Sequence, residues 1–184
     1  AVPPSAAPDL SRWGLSPAQR AAVEAALAYL EAAESRGHPA SARPPQFLIW
    51  AVTGAGKTEM IFPLLARTIA SGRRALVATP RQDVVKELVP RLRRAFPEAE
   101  VAALYGGSGT PWADGDITVS TTHQLLRFQH AFDLVVIDEL DAFPYHGDPM
   151  LHYAAAKAGK PGAPTVLLTA TPPAAMQRDV RRGR

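Results

Sequence analysis

The stretch Ala51-Val52-Thr53-Gly54-Ala55-Gly56-Lys57-Thr58 constrains this chain more than any other. An apolar run at 47–52 leads into it and a helical pattern over 57–70 follows it. Strand, glycine-rich loop and helix in that order make a phosphate site. Glycines let the backbone fold tightly round phosphate oxygens, and the free N–H groups at the positive helix end face the anion. Lys57 is placed to reach the β- and γ-phosphates of ATP, and Thr58 to hold Mg²⁺ through its hydroxyl. The candidate nucleotide contacts are Thr53, Gly54, Ala55, Gly56, Lys57, Thr58 and Glu59. The first position of the pattern, usually Gly, is Ala51 here.

Around this loop the pattern alternates. Apolar runs at 75–79, 101–104, 117–120, 134–137 and 165–168 read as buried strands. Helical spacing appears at 81–96, 122–128 and 150–158, with Pro90 expected to kink or split the first of these. Upstream, Ser16-Pro17 opens a helix that carries Val23, Leu27 and Leu30 at helical spacing and ends at Gly37. Strands that are apolar throughout and alternate with helices predict an α/β fold. Its sheet is mainly parallel, with helices on both faces.

With 184 residues, 47% of them hydrophobic and 20% charged, the chain suits one soluble domain with a single well-buried core. No apolar run approaches the roughly 20 residues a membrane helix needs. The start, Ala1-Val2-Pro3-Pro4, has neither Met nor the features of a signal peptide, so a processed or excised piece is expected. The absence of cysteine excludes disulfides and thiolate zinc sites within these residues. The net charge of +3 is a mild excess, concentrated at Arg73-Arg74, Arg91, Arg93-Arg94 and the arginines at 178–184. Such clusters suit a polyanionic partner or a plain solvated face.

A second acidic signal follows the apolar run at 134–137: Asp138-Glu139-Leu140-Asp141. In parallel α/β sheets ligands bind at the carboxyl ends of strands. Asp138 is placed there to hold Mg²⁺, and Glu139 to polarise an attacking water as general base. Thr169-Ala170-Thr171 ends the last strand, where the hydroxyls of Thr169 and Thr171 would bond to neighbouring carboxylates and sense the γ-phosphate. Thr79-Pro80-Arg81 and Thr121-Thr122-His123-Gln124 stand where strands give way to helices. Pro80, Arg81, Thr121 and Thr122 are candidate grips on a nucleic-acid backbone, with helix capping as the plainer alternative. Gly106-Gly107 would let a phosphate backbone approach closely or form an ordinary turn. Trp112 is suited to stacking on a base or to a half-buried place in a loop. Gln19 follows the N-cap Ser16 by three residues, which is a capping box; an adenine contact is the other reading, with Trp13 over the same base.

Taken in order, Gln19, Gly56-Lys57-Thr58, Thr79-Pro80-Arg81, Thr121-Thr122-His123-Gln124, Asp138-Glu139-Leu140-Asp141 and Thr169-Ala170-Thr171 resemble the first motor domain of superfamily 2 helicases and translocases. The resemblance covers residues 11–184. The stretches 51–60, 121–128, 138–145 and 168–173 are similar to the ComFA family of late-competence ATPases, with the replication-restart helicase PriA as the nearest alternative. The resemblance implies a RecA-like P-loop NTPase domain in which the strand at 165–168 lies between those of the phosphate loop and of Asp138. It implies ATP and Mg²⁺ as cofactors, single-stranded DNA as a partner, and a role in drawing that strand into the cytoplasm at the inner membrane face beside a DNA channel and other competence proteins. It further implies a second RecA-like domain of the same protein, which supplies an arginine finger. ComFA proteins carry a four-cysteine zinc site, from which this chain departs. The expected organisation is a disordered segment at 1–10, the ATP-binding domain at 11–175 and a basic tail at 176–184. A nucleotide-gated binding module without catalysis is the alternative from another class. A small-molecule P-loop kinase is a third reading, in which the hydroxyl segments at 121–122 and 169–171 have no role.

Overall fold

A computed structural model of the chain describes residues 8–36, 44–50, 57–107, 115–139 and 149–169. Among the described residues six strands form one sheet: β1 (Gln46–Trp50), β2 (Ala75–Thr79), β3 (Val101–Leu104), β4 (Ile117–Thr121), β5 (Leu134–Glu139) and β6 (Thr165–Thr169). Their spatial order is β1-β6-β5-β2-β4-β3, and every pairing is parallel. The sheet is therefore fully parallel. The last strand, β6, lies between β1 and β5, as the family resemblance implies.

Among the described residues four α-helices accompany it: α1 (Pro17–Arg36), α2 (Lys57–Ala70), α3 (Gln82–Ala95) and α4 (Pro149–Ala158). Two short 3-10 helices, Leu10–Trp13 and Thr122–Arg127, complete the set. One apolar layer packs alternate residues of the strands under α1, α2 and α3. The smaller layer on the opposite face packs the other alternate residues under α4 and the second 3-10 helix. Among the described residues no helix is long and apolar enough to cross a membrane.

Local chemistry explains most boundaries. In α1, Val23, Ala26, Leu30 and Ala33 face the core, and Leu27 is only half-buried, so Ala26 takes the place expected for it. Its expected stop at Gly37 lies outside the described residues. At the end of α2, Gly72 adopts a left-handed φ of 69°, where a side chain would be strained, and its N–H donates to the Ile69 carbonyl. Pro90 does not split α3, which runs unbroken from Gln82 to Ala95, and Pro63 sits inside α2 in the same way. An interior proline costs about 3 kcal/mol. Burying Val85, Leu88, Val89 and Leu92 on α3 offsets this at about 1.5–3 kcal/mol per side chain. On α2 the offset comes from Met60, Ile61, Phe62, Leu64 and Leu65.

The first described element is the 3-10 helix Leu10–Trp13. Asp9 caps the first 3-10 helix by accepting from Ser11 N–H at 3.0 Å, and Leu10 is buried. This short helix aims Trp13 edge-on at Phe62 of α2 (5.3 Å) and at a tilt against Phe96 (5.6 Å). Residues 1–7 lie outside the described residues, as does the expected basic tail.

Glu34 of α1 joins α1 to α2. Arg67 grips its carboxylate with two hydrogen bonds (2.9 and 2.8 Å), and Arg73 adds one at 2.6 Å. The Arg67 hydrogen bonds hold the Glu34 carboxyl below its ordinary value of 4.5, against the opposing effect of partial burial. A carboxyl whose pKa is lowered by folding stabilises the fold above its unfolded pKa, and that contribution fades as pH falls through the folded value. We expect Glu34→Gln to flatten part of the stability loss seen below pH 4.5. Urea melts of both proteins at neutral and acid pH measure this; an identical acid loss would exclude a stabilising role for the triad.

Candidate nucleotide and nucleic-acid edge

Because all six strands are parallel, their carboxyl ends share one edge of the sheet. The order of strands then decides which residues meet there. Trp50 ends β1, Thr169 ends β6 and Glu139 ends β5, and these three stand in one register across neighbouring strands. Asp138 is one residue earlier, beside Leu168. Thr79 ends β2 opposite Thr121, which ends β4. Lys57 is the first residue of α2, the element that follows β1 in chain order. Thr53, Gly54, Ala55 and Gly56 lie outside the described residues, as do Thr171, Ser108 and Trp112.

Side-chain alternation sorts this edge into two faces. Leu134 and Val136 of β5 belong to the layer under α2, whereas Val135 and Ile137 belong to the opposite one. Asp138 therefore continues the α2 face. Its side chain is only 4% exposed. A carboxylate this deeply placed is costly unless a cation or hydrogen bonds compensate it. Thr58, the second residue of α2, is half-buried. A hydroxyl and a carboxylate are hard oxygen donors of the kind Mg²⁺ takes, so this pair fits that ion.

Glu59 has a different neighbour. Its carboxylate is in an ion pair with Arg91 of α3, which fastens the first turn of α2 to α3. Sequence spacing gives no sign of this pair, because the two residues are 32 positions apart. Gln19 forms the capping box: Ser16 N–H donates to Gln19 Oε1 at 2.9 Å, and Gln19 N–H donates to Ser16 Oγ at 3.3 Å.

On the far side of β2 the candidate backbone grips gather. Pro80 is half-buried in the bend after β2, and Arg81 is exposed at the N-cap of α3. Two hydrogen bonds from Arg81 (3.1 and 2.7 Å) hold the Asp83 carboxyl below the usual carboxylate range. Gly106 and Gly107 form an exposed turn after β3, with Gly107 at a φ of 86°. Gln82 Nε2 donates to the Gly106 carbonyl at 3.3 Å, which ties this turn to the start of α3. Thr121 and Thr122 are buried where β4 passes into its 3-10 helix.

A fully parallel sheet with β6 inserted between β1 and β5, and a helix after β1, defines a RecA-like domain of the helicase type. The family described as "Type III restriction enzyme, res subunit" matches residues 12–174, and the chain belongs to it. Over 144 residues it is 49% identical to the competence protein ComFA of Bacillus subtilis (strain 168), covering 78% of this chain and 31% of that protein. Over 136 residues it is 45% identical to ComFA of Streptococcus pneumoniae (strain ATCC BAA-255 / R6), covering 74% of this chain and 31% of that protein. The chain thus spans under a third of the length of these curated relatives. The solved SWI2/SNF2 ATPase core of Sulfolobus solfataricus in complex with dsDNA shares the fold, with a TM-score of 0.60 at 18% identity, over 92% of this chain and 34% of that one.

Proposed function

We propose that this chain is the ATP-binding domain of an ATP-driven single-stranded DNA translocase for DNA uptake. The observation that carries the reading is the convergence of Lys57, Asp138, Glu139 and Thr169 on one sheet edge, beside the turns that bear Arg81, Gly106 and Thr122. The similarity to the competence proteins supports the uptake role.

In this reading Lys57 and the N-terminus of α2 hold the β- and γ-phosphates with the loop residues Thr53, Gly54, Ala55 and Gly56. Thr58 and Asp138 would hold Mg²⁺, which when bound neutralises charge on the phosphate oxygens. Glu139 takes the proton of the attacking water. Thr169 and Thr171 link this chemistry to the neighbouring domain. Pro80, Arg81, Gly106, Gly107, Thr121 and Thr122 grip the strand through its backbone. Phosphoryl transfer of this kind depends on positioning and charge stabilisation, and an arginine finger contributes about 10³–10⁵ in rate. The second RecA-like domain supplies that finger, so the chain on its own hydrolyses ATP poorly. The protein works at the cytoplasmic face of the inner membrane with the DNA channel and other competence proteins.

Backbone grips carry a salt signature. For single strands log K falls with log salt at about 0.7 per phosphate neutralised. Arg81→Ala is expected to weaken all sequences alike and to lower that slope by about one contact. Fluorescence anisotropy of labelled oligonucleotides at several salt concentrations tests it. An affinity that is flat with salt would remove the backbone-grip assignments.

A further inference from the structure

We propose that Thr79 is a positioning residue for the Asp138 carboxylate, its hydroxyl held in reserve for the loaded state of the site. This rests on the reading of Asp138 as a Mg²⁺ ligand and extends it to a residue on a different strand. Three observations carry it.

Thr79 is fully buried, at 0% exposure, and its Oγ1 has no hydrogen-bond partner. Buried hydroxyls are nearly always satisfied, so one left open calls for a reason. Ladder register supplies the second observation. Ala78 of β2 pairs with Ile137 of β5, so Thr79 stands beside Asp138 on the adjacent strand. Neighbouring strands lie about 4.8 Å apart, which brings a threonine hydroxyl within reach of a carboxylate or of a water bound to it. The third is the face. Ala75 and Val77 share a layer with Leu134 and Val136, so Thr79 and Asp138 project together toward α2. Thr118 and Ser120 also carry buried hydroxyls without partners, but they alternate onto the opposite face, away from Asp138.

In the loaded site the Thr79 hydroxyl donates to the outer oxygen of the Asp138 carboxylate or accepts from a water in the ion's shell. Such outer partners fix the orientation of a ligating group, and losing one typically costs about 10- to 100-fold in metal affinity. Thr79→Val removes the hydroxyl and nearly preserves shape. The Mg²⁺ dependence of binding a fluorescent ATP analogue to the chain is the readout. Apparent Mg²⁺ affinity is expected to fall about tenfold in Thr79→Val and to return in Thr79→Ser. The melting temperature of the ligand-free protein is expected to rise in Thr79→Val, because an unsatisfied polar group has gone. Thr118→Val is expected to show that rise without any change in Mg²⁺ affinity. The proposal is overturned if Thr79→Val keeps Mg²⁺ affinity within twofold of the parent while Asp138→Asn lowers it, or if Thr79→Ser fails to recover. If Asp138→Asn and Lys57→Ala both leave Mg²⁺-dependent binding intact, the reading of the site falls first, and this inference with it.

Discussion

Replacing Glu139 with Gln in a full-length protein bearing this domain is expected to cut DNA-stimulated ATP turnover by about 10²–10⁴-fold and leave ATP binding within a few-fold. The amide keeps the size of the carboxylate and loses its basicity, so it can hold a water and cannot take its proton. In the proposed reading the phosphates are held by Lys57 and Thr58 on a different element, so ATP binding is not expected to depend on the charge of Glu139. Glu139 is the last residue of β5, in register with Thr169 of β6. Asp138 stands one residue earlier beside Leu168. In the proposed reading the two acids have separable jobs, Asp138 as an ion ligand and Glu139 as a base. Steady-state turnover and a binding titration, each with and without single-stranded DNA, check this. The outcome also separates two classes of protein: in a nucleotide-gated binding module Glu139→Gln would change neither turnover nor binding. A drop in ATP affinity that matches the loss of turnover would move Glu139 into the phosphate-holding group and defeat the general-base role.

How far the sequence leads toward this edge depends on the range of the interaction involved. Period and punctuation are local, and they place α2 at Lys57–Ala70, β2 at Ala75–Thr79 and β3 at Val101–Leu104 without displacement. Sheet order is not local. Nothing in residues 165–168 alone says that β6 inserts between β1 and β5; that came from the ordered motifs and the family they resemble. Pro90 misleads a local reading, because the burial that outweighs it comes from partners distant in sequence. The first 3-10 helix is similar. Leu10–Trp13 is too short for periodicity, and Trp13 owes its place to Phe62 and Phe96.

The candidate site divides along the same line. Lys57 and Asp138 carry local marks, a loop pattern and an apolar strand end. Gln19 carried two local readings, and its hydrogen bonds with Ser16 realise the capping one. Glu59 was read as part of the nucleotide loop because it follows Thr58, while its ion pair with Arg91 crosses between helices. Thr79 had no mark except its place before Pro80. Its significance emerges only when β2 and β5 are aligned and its hydroxyl is found without a partner.

The largest stability effect is expected at Phe132, outside the site but just before the strand that carries it. Phe132 is fully buried at the centre of the smaller apolar layer, 5.0 Å edge-on from Phe128, with the Arg74 guanidinium 5.2 Å over its ring. Its backbone bridges to Gly159 and accepts from Lys160 N–H at 2.7 Å, so it pins the end of α4 to the start of β5. Truncating a buried Phe to Ala costs about 3–5 kcal/mol in transfer and cavity terms. The layer under α1, α2 and α3 can redistribute a void among several helices, whereas the layer round Phe132 has α4 and one short 3-10 helix, with Phe128 and Arg74 against the ring. Relaxation is therefore limited, and the upper half of that range is expected. Against a usual domain stability of about 5–15 kcal/mol, this removes a large share and leaves β5 poorly anchored. Urea unfolding followed by circular dichroism measures it through the midpoint at constant slope. Phe132→Leu, which refills most of the volume, should recover more than half of the loss. A Phe132→Ala cost below about 1 kcal/mol would mean that the α4 layer repacks freely, and that Asp138 and Glu139 owe their positions to the α2 face alone.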